Sequence, residues 1–166
     1  MKKSKYITRT AIITALAVVL GFLENMVPAS SGVPGVKLGF SNMAVLIALY
    51  LYGTKNAVTV TVLKVVLSSL LFSGFTGFLY SICGGMLSIA AETAAKKTRL
   101  FSVGGVSCVG GIFHNLGQLV CAYFIIGRGA VYYAVPLCFS GAVAGIFTGI
   151  CTAIILKRGQ KLFVKE

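Results

Sequence analysis

The chain has 166 residues, of which 57% are hydrophobic and 11% are charged, and its formal net charge is +12. An ordinary soluble domain carries about 25% charged residues, and a soluble globule of this size could not bury so much apolar surface. We therefore predict a single transmembrane domain over residues 1–166, placed in the cell membrane and in contact with membrane lipid. The basic residues stand in short runs beside apolar spans, which indicates membrane topology and argues against a nucleic-acid partner.

Six apolar segments follow one another along the chain and predict an all-α bundle of six transmembrane helices. The second segment is the weakest, because its length of about fifteen residues falls short of the roughly twenty that a span requires. A segment rich in Pro, Ser and Gly, from Pro28 to Gly35, separates the first two, and the other connections are short, which favours antiparallel neighbours. The predicted spans cover about residues 6–23, 38–52, 56–72, 75–95, 103–126 and 130–156.

The orientation follows from the distribution of lysine and arginine between the two predicted membrane faces. With the N-terminus inside, twelve of these residues lie on the inner side, Lys37 and Arg128 lie outside, and Lys64 lies within the third span. Cytoplasmic loops carry an excess of Lys and Arg, so both termini are predicted to be cytoplasmic. The inner residues are Lys2, Lys3, Lys5, Arg9, Lys55, Lys96, Lys97, Arg99, Lys157, Arg158, Lys161 and Lys165.

The acidic residues exclude many kinds of enzyme, because the chain contains no aspartate and its only acids are Glu24, Glu92 and Glu166. Metal-dependent diphosphate chemistry needs clustered carboxylates, and glycosidases need a carboxylate pair. The phosphate-binding motif GxxxxGK[ST] is absent, so this chain is not expected to hydrolyse ATP itself. We predict no catalytic residue, no metal site and no cofactor.

Four polar residues within the spans are candidates for a ligand pocket. Lys64 either lies near a helix end and extends to the interface, or lines a pocket and meets an anionic group of a ligand. His114, Asn115 and Gln118 either hydrogen-bond neighbouring helices or line a polar cavity, and His114 and Gln118 share a helix face because they are four residues apart. A lone histidine does not predict a metal site.

Glu24 closes the first span near Lys37 of the predicted outer loop. The two residues are either an ordinary interfacial pair or part of the mouth of an outward-facing pocket. Small residues recur as Ala11 and Ala15 on the first span and as Gly141, Gly145 and Gly149 on the sixth. Each set allows close helix approach, either within the bundle or with another membrane subunit.

Three motifs, in order along nearly the whole chain, resemble the membrane family called heptaprenyl diphosphate synthase component I, also known as the Gx transporter family. They are Pro34–Asn42 (PGVKLGFSN) with the apolar run that ends at Leu51-Tyr52-Gly53, Leu79–Ser88 (LYSICGGMLS) and His114–Leu119 (HNLGQL).

That family is similar to the S components of energy-coupling factor (ECF) transporters. The resemblance implies a six-helix protein that binds a vitamin-like small molecule and works with a transmembrane coupling subunit driven by two ATPase subunits. It implies a docking contact for that subunit at Ala11 and Ala15, and a loop from Pro28 to Lys37 that caps the substrate.

We therefore expect a non-enzymatic, substrate-binding subunit of an ATP-driven uptake transporter for a small molecule resembling a vitamin or an isoprenoid or quinone precursor. The alternative is a non-catalytic membrane component of a heptaprenyl diphosphate synthase or of a membrane redox assembly. A synthase of the known catalytic fold would need aspartate-rich motifs, which this chain lacks. The expected substrate-binding residues are Lys37, Asn42, Lys64, His114, Asn115 and Gln118.

Overall fold

The computed structural model describes residues 2–26 and 39–163, with side chains over 4–26 and 39–159. This part of the chain is almost entirely helical and contains no strand, so the prediction of an all-α protein is confirmed. A π-helical turn, Ser69–Ser73, extends the third helix, and a 3-10 turn, Arg128–Tyr133, precedes the sixth. The α-helices are α1 (Lys2–Met26), α2 (Phe40–Tyr52), α3 (Thr54–Ser68), α4 (Gly74–Thr98), α5 (Val103–Ile126) and α6 (Ala134–Phe163).

Helices α3 and α4 form a hairpin that turns at Gly74. This glycine has a φ of 64°, a conformation that a residue with a Cβ adopts only at a cost. A Cβ added to Gly85 of α4 would lie 2.9 Å from Cγ2 of Thr61 of α3. In one continuous helix these two residues would be about 36 Å apart, since each residue adds about 1.5 Å. The two helices are therefore antiparallel neighbours, as the short connection predicts.

The remaining helices close around a common core. Helix α5 packs between α4 and α6, while α2 contacts both α3 and α6 and so completes the ring. Helix α1 lies outside this ring, with its main contacts on α2 and α3. In lipid, such helices are held together by close packing and hydrogen bonds more than by exclusion of water. The largest fully buried apolar side chains are Leu46, Leu49, Val60, Ile89 and Val106.

The two sets of small residues have different environments. The glycine ridge of α6 packs inside the bundle: a Cβ added to Gly145 would overlap the carbonyl oxygen of Ser107, and one on Gly149 would lie 2.7 Å from Cα of Gly104. The ridge therefore serves the contact between α5 and α6. Ala11 and Ala15 are instead exposed on the outer surface of α1.

Among the described residues, four helical stretches are long and apolar enough to cross a membrane by their length and composition. One of them, Thr54–Thr98, contains both arms of the hairpin. Helix α2 has 13 residues and a length of about 20 Å, which is shorter than the roughly 30 Å of a bilayer core. The structure thus supports a helical membrane protein, while the count of six crossings stays a prediction. The other three stretches are Ser4–Met26, Val103–Ile126 and Arg128–Gly159.

Candidate ligand-binding site

A polar cavity lies inside the bundle, with walls from α2 to α6 and from the last turns of α1. Its volume is about 110 Å³, which is room for several water molecules or for the polar end of a small organic molecule. Most of its lining residues have polar or charged side chains, although the helices that carry them are predominantly apolar. Convergent polar groups in a cavity of this kind are the default candidates for ligand binding.

Five of the six residues that the sequence singles out for substrate binding line this one cavity. Asn42 comes from α2, Lys64 from α3, and His114, Asn115 and Gln118 from α5. The sixth, Lys37, and the predicted capping loop around it lie outside the described residues. The structure brings the five together, and their role in holding a substrate stays a prediction.

Lys64 lines the cavity and is buried. Its side chain is 6% exposed, and its Nζ donates a hydrogen bond of 2.6 Å to Oδ1 of Asn42. This burial favours the interpretation in which Lys64 lines a pocket over the one in which it extends to the interface. A charge at the centre of a membrane helix costs about 2.5–3.5 kcal/mol, so it needs polar partners. Asn42 supplies one such partner, and Glu92 lines the same cavity.

Glu92 of α4 is a cavity residue that the sequence analysis did not single out. It is 3% exposed, and its side chain packs against the bare backbone of Gly110, where an added Cβ would lie 2.6 Å from Cγ of Glu92. Ser88, one turn earlier, donates a hydrogen bond of 2.9 Å to the carbonyl oxygen of Gly110. Glu92 is an acid within a predicted apolar span, so the criterion that selects Lys64 could have selected it as a candidate, but not its place in the same cavity.

The residues of α5 that line the cavity pack closely against α4 and α6. His114 and Gln118 pack over Gly84 of α4, where an added Cβ would lie 3.0 Å from Cε1 of His114 and from Cγ of Gln118. Nδ2 of the buried Asn115 donates a hydrogen bond of 2.6 Å to the carbonyl oxygen of Leu137 on α6. Asn115 therefore both lines the cavity and joins two helices, so the two interpretations of this residue are compatible.

Two hydroxyl groups complete the deep part of the cavity. Ser107 of α5 and Thr148 of α6 share a hydrogen bond of 3.0 Å, and both are buried. Sequence reasoning missed them because serine and threonine are common in membrane helices, where they often bond to the preceding turn. Thr148 also does so, donating to the carbonyl oxygen of Ala144 at 2.9 Å.

Glu24 lies where α1 and α2 meet at one end of the cavity. It is 9% exposed, and its Oε1 accepts a hydrogen bond from the backbone N–H of Gly39. Both residues line the cavity, so Glu24 belongs to the site and is more than an interfacial charge. Its predicted partner Lys37 is not among the described residues.

A family model described as heptaprenyl diphosphate synthase component I matches residues 13–155. The chain belongs to this family. The matched stretch contains all the cavity residues named above, from Glu24 to Thr148, and leaves out residues 1–12 and 156–166. Comparison with curated proteins and with solved structures found no match.

Proposed function

We propose that the protein is the substrate-binding membrane subunit of an ATP-driven uptake transporter, and that its cavity holds the polar end of a small, largely apolar organic molecule. The observation that carries this proposal is the meeting of Asn42, Lys64, Glu92, His114 and Gln118 on the walls of one cavity inside an apolar bundle. Polar groups inside membrane helices are costly, and they commonly mark substrate pathways. The resemblance to ECF S components points the same way.

In this proposal the chain crosses the membrane six times, both termini are cytoplasmic, and the end of the cavity near Glu24 faces outward. Lys64 offsets negative charge on the ligand, and the side chains of Asn42, His114 and Gln118 fix its orientation. Glu24 and Glu92 add acceptors, so the polar end of the ligand should also carry hydrogen-bond donors. Vitamins and isoprenoid or quinone precursors combine such an end with an apolar body.

The coupling subunit, with its ATPase subunits, is proposed to dock on α1 at Ala11 and Ala15. Both residues are exposed, and α1 lies outside the ring of the other helices. Small residues four apart let a partner helix approach closely. The chain has no phosphate-binding motif of its own, so the energy for transport has to come from a partner.

The family description favours a second candidate, a non-catalytic membrane component of a heptaprenyl diphosphate synthase. A non-catalytic role fits a chain without aspartate, since magnesium-dependent diphosphate chemistry relies on clustered carboxylates. In this candidate the cavity serves a partner synthase or its lipid-like product. Affinity purification separates the two, because the first predicts ATPase subunits and the second predicts a synthase subunit.

The decisive experiment is to purify the full chain with native lipids and to identify co-purifying small molecules by mass spectrometry. We expect one compound to be enriched in the wild type and lost in Lys64→Met, a variant of similar side-chain length. The matched control is Lys97→Met, which removes an exposed lysine at the end of α4 that does not line the cavity. Size-exclusion chromatography and thermal unfolding check that both variants fold.

The transport proposal fails if nothing co-purifies and if Lys64→Ala and His114→Ala leave cellular uptake unchanged. Capture of a prenyl synthase subunit without ATPase subunits would favour the second candidate.

A further inference from the structure

A second pocket lies at the other end of α1. It has a volume of about 290 Å³ and is lined by Lys5, Tyr6 and Arg9 of α1, by Tyr52 at the end of α2 and by Asn56 in the first turn of α3. Along α1, Lys5 is about 29 Å from the level of Glu24, at about 1.5 Å per residue. This distance matches the roughly 30 Å core of a bilayer, so the two pockets lie at opposite ends of the bundle.

The second pocket has a strong positive charge. Lys5 and Arg9 both line it, and neither of the two described acids does, because Glu24 and Glu92 line the other cavity. The pocket is open to solvent at both cations, which are exposed. An anion that enters it meets two cationic side chains and no acidic side chain among the described residues.

The walls of the pocket are held in place by bonds between three helices. The guanidinium carbon of Arg9 lies 5.1 Å from the centre of the Tyr52 ring, a cation–π contact that holds the guanidinium group next to the ring. The amide of Asn56 accepts a hydrogen bond of 3.1 Å from Thr10 and donates one of 3.0 Å to the carbonyl oxygen of Tyr52. These contacts place the guanidinium group of Arg9 beside Tyr52 and link α1, α2 and α3 at the pocket.

A guanidinium group held in this way suits a phosphate, because its planar fork of N–H donors matches two phosphate oxygens. The neighbouring Lys5 adds a point charge. Exposed apolar side chains, including Ile12 and Leu63, lie one to two turns further along α1 and α3. They offer a surface for acyl chains.

We propose that this pocket binds a phosphate group at the membrane face opposite the ligand cavity, with Arg9 and Lys5 as its cationic contacts. The phosphate belongs either to the headgroup of an anionic phospholipid or to a soluble phosphate or diphosphate. Lys5, Tyr6 and Arg9 all precede the stretch that the family model matches. The site is also independent of the proposed transport function.

The test uses the full chain in nanodiscs of zwitterionic lipid. Thermal unfolding is measured while phosphatidylglycerol is increased in the lipid, and separately while inorganic pyrophosphate is added to the solution. We expect a saturable rise in melting temperature. A response to phosphatidylglycerol alone assigns a lipid headgroup, and saturable binding of pyrophosphate in zwitterionic lipid assigns a soluble anion; both outcomes support the site.

The site variant is Lys5→Gln with Arg9→Gln, and the matched control is Lys97→Gln with Arg99→Gln. The control removes the same charge from exposed residues at the end of α4 that do not line the pocket. Each cation that contacts the phosphate directly should contribute about tenfold to binding, so the site variant should bind roughly 100-fold more weakly. The control should change binding less than about twofold.

Arg9→Lys keeps the charge but not the planar fork, and it serves as the conservative variant if the double variant does not fold. It should weaken binding severalfold without changing the melting temperature in zwitterionic lipid. If the control variant loses binding to the same extent, the effect comes from general surface charge and the proposal is overturned. The absence of any saturable response to either probe in the wild type would do the same.

Discussion

The hydrogen bond from Nζ of Lys64 to Oδ1 of Asn42 joins α3 to α2 inside the ligand cavity, at a distance of 2.6 Å. Lys64 is buried in the bundle, and Glu92 of α4 lines the same cavity. Side chains from three helices thus meet on the walls of one cavity. Only 11% of the residues are charged, and the tertiary structure brings two of them, Lys64 and Glu92, into the same cavity as Asn42.

The link between Lys64 and Asn42 predicts coupled effects on stability. Hydrogen bonds to charged groups contribute about 1.5–3 kcal/mol, and either Lys64→Met or Asn42→Leu breaks this one. In a double-mutant cycle the two changes should be non-additive by about 1–2 kcal/mol. The measurement is unfolding in mixed micelles for the wild type, both single variants and the double variant. Simple additivity would show that the two side chains do not interact.

Because Glu92 packs against Gly110, a larger residue at position 110 should clash with Glu92, and a smaller residue at position 92 should remove the clash. Gly110→Ala places a methyl group where the Glu92 side chain now lies, and overpacking of this kind costs about 1–3 kcal/mol. Adding Glu92→Ala removes the conflict, so the double variant should lose less stability than the sum of the two single losses. Thermal unfolding of the four proteins measures this. A double variant as unstable as the sum would contradict the contact.

The contact between α5 and α6 predicts that Gly145→Ala is destabilising, by about 1–3 kcal/mol, because its Cβ would overlap the carbonyl oxygen of Ser107. The matched control is Gly159→Ala in the same helix, where an added Cβ has nothing within 4 Å. That control should be neutral or slightly stabilising, since alanine favours a helix more than glycine does. Melting temperatures in detergent compare the two, and equal losses would argue against the packed ridge.

Because Ala11 and Ala15 are exposed on α1, substitutions at these positions should affect partner binding without affecting folding. Ala11→Leu with Ala15→Leu should change the free energy of unfolding by no more than about 0.5 kcal/mol, because both positions are exposed. If a coupling subunit docks there, the same variant should lose co-purification of that subunit and cellular uptake. The contrast is Ala17→Leu on the same helix, which is fully buried and should destabilise the protein.

An unchanged complex in the variant with leucine at positions 11 and 15 would place the partner elsewhere on the protein. A strong loss of stability in the same variant would show that this face is packed.

The predicted topology can be tested with reporter fusions. A reporter at either terminus or after Arg99 should report the cytoplasm, and one after Ser73 or Arg128 should report the outside, because the basic residues favour the inner face. Alkaline phosphatase, active outside, and green fluorescent protein, active inside, give opposite signals. If fusions after Ser73 and after Arg99 report the same side, α4 does not cross the membrane.

Sequence patterns located the helices well because their cause is local. An apolar run flanked by Lys, Gly or Pro has few alternatives to helix in lipid, where each backbone polar group needs a partner within its own segment. Predicted segments such as 103–126 coincide with the observed α5, Val103–Ile126. The turn at Gly74 was predicted by the break between the third and fourth segments.

The candidate cavity was predictable in part. Lys64 and His114 stand out because polar side chains in apolar spans are costly, and that criterion leads to the cavity. It could not reveal that Glu92 faces the same space, since this depends on the hairpin of α3 and α4 and on the missing side chain at Gly110. No pattern in the sequence indicates that Ser107 and Thr148 line the cavity.

By itself, therefore, the sequence determined the all-α class, the approximate limits of the helices and the uneven distribution of positive charge. Only the tertiary structure decided which faces pack, and it separated the buried glycine ridge of α6 from the exposed alanines of α1. The physical reason is that a membrane helix is apolar on its packed face and on its lipid face alike, so periodicity does not distinguish them. The same folding brought Lys64, Asn42 and Glu92, from three separate helices, into one cavity.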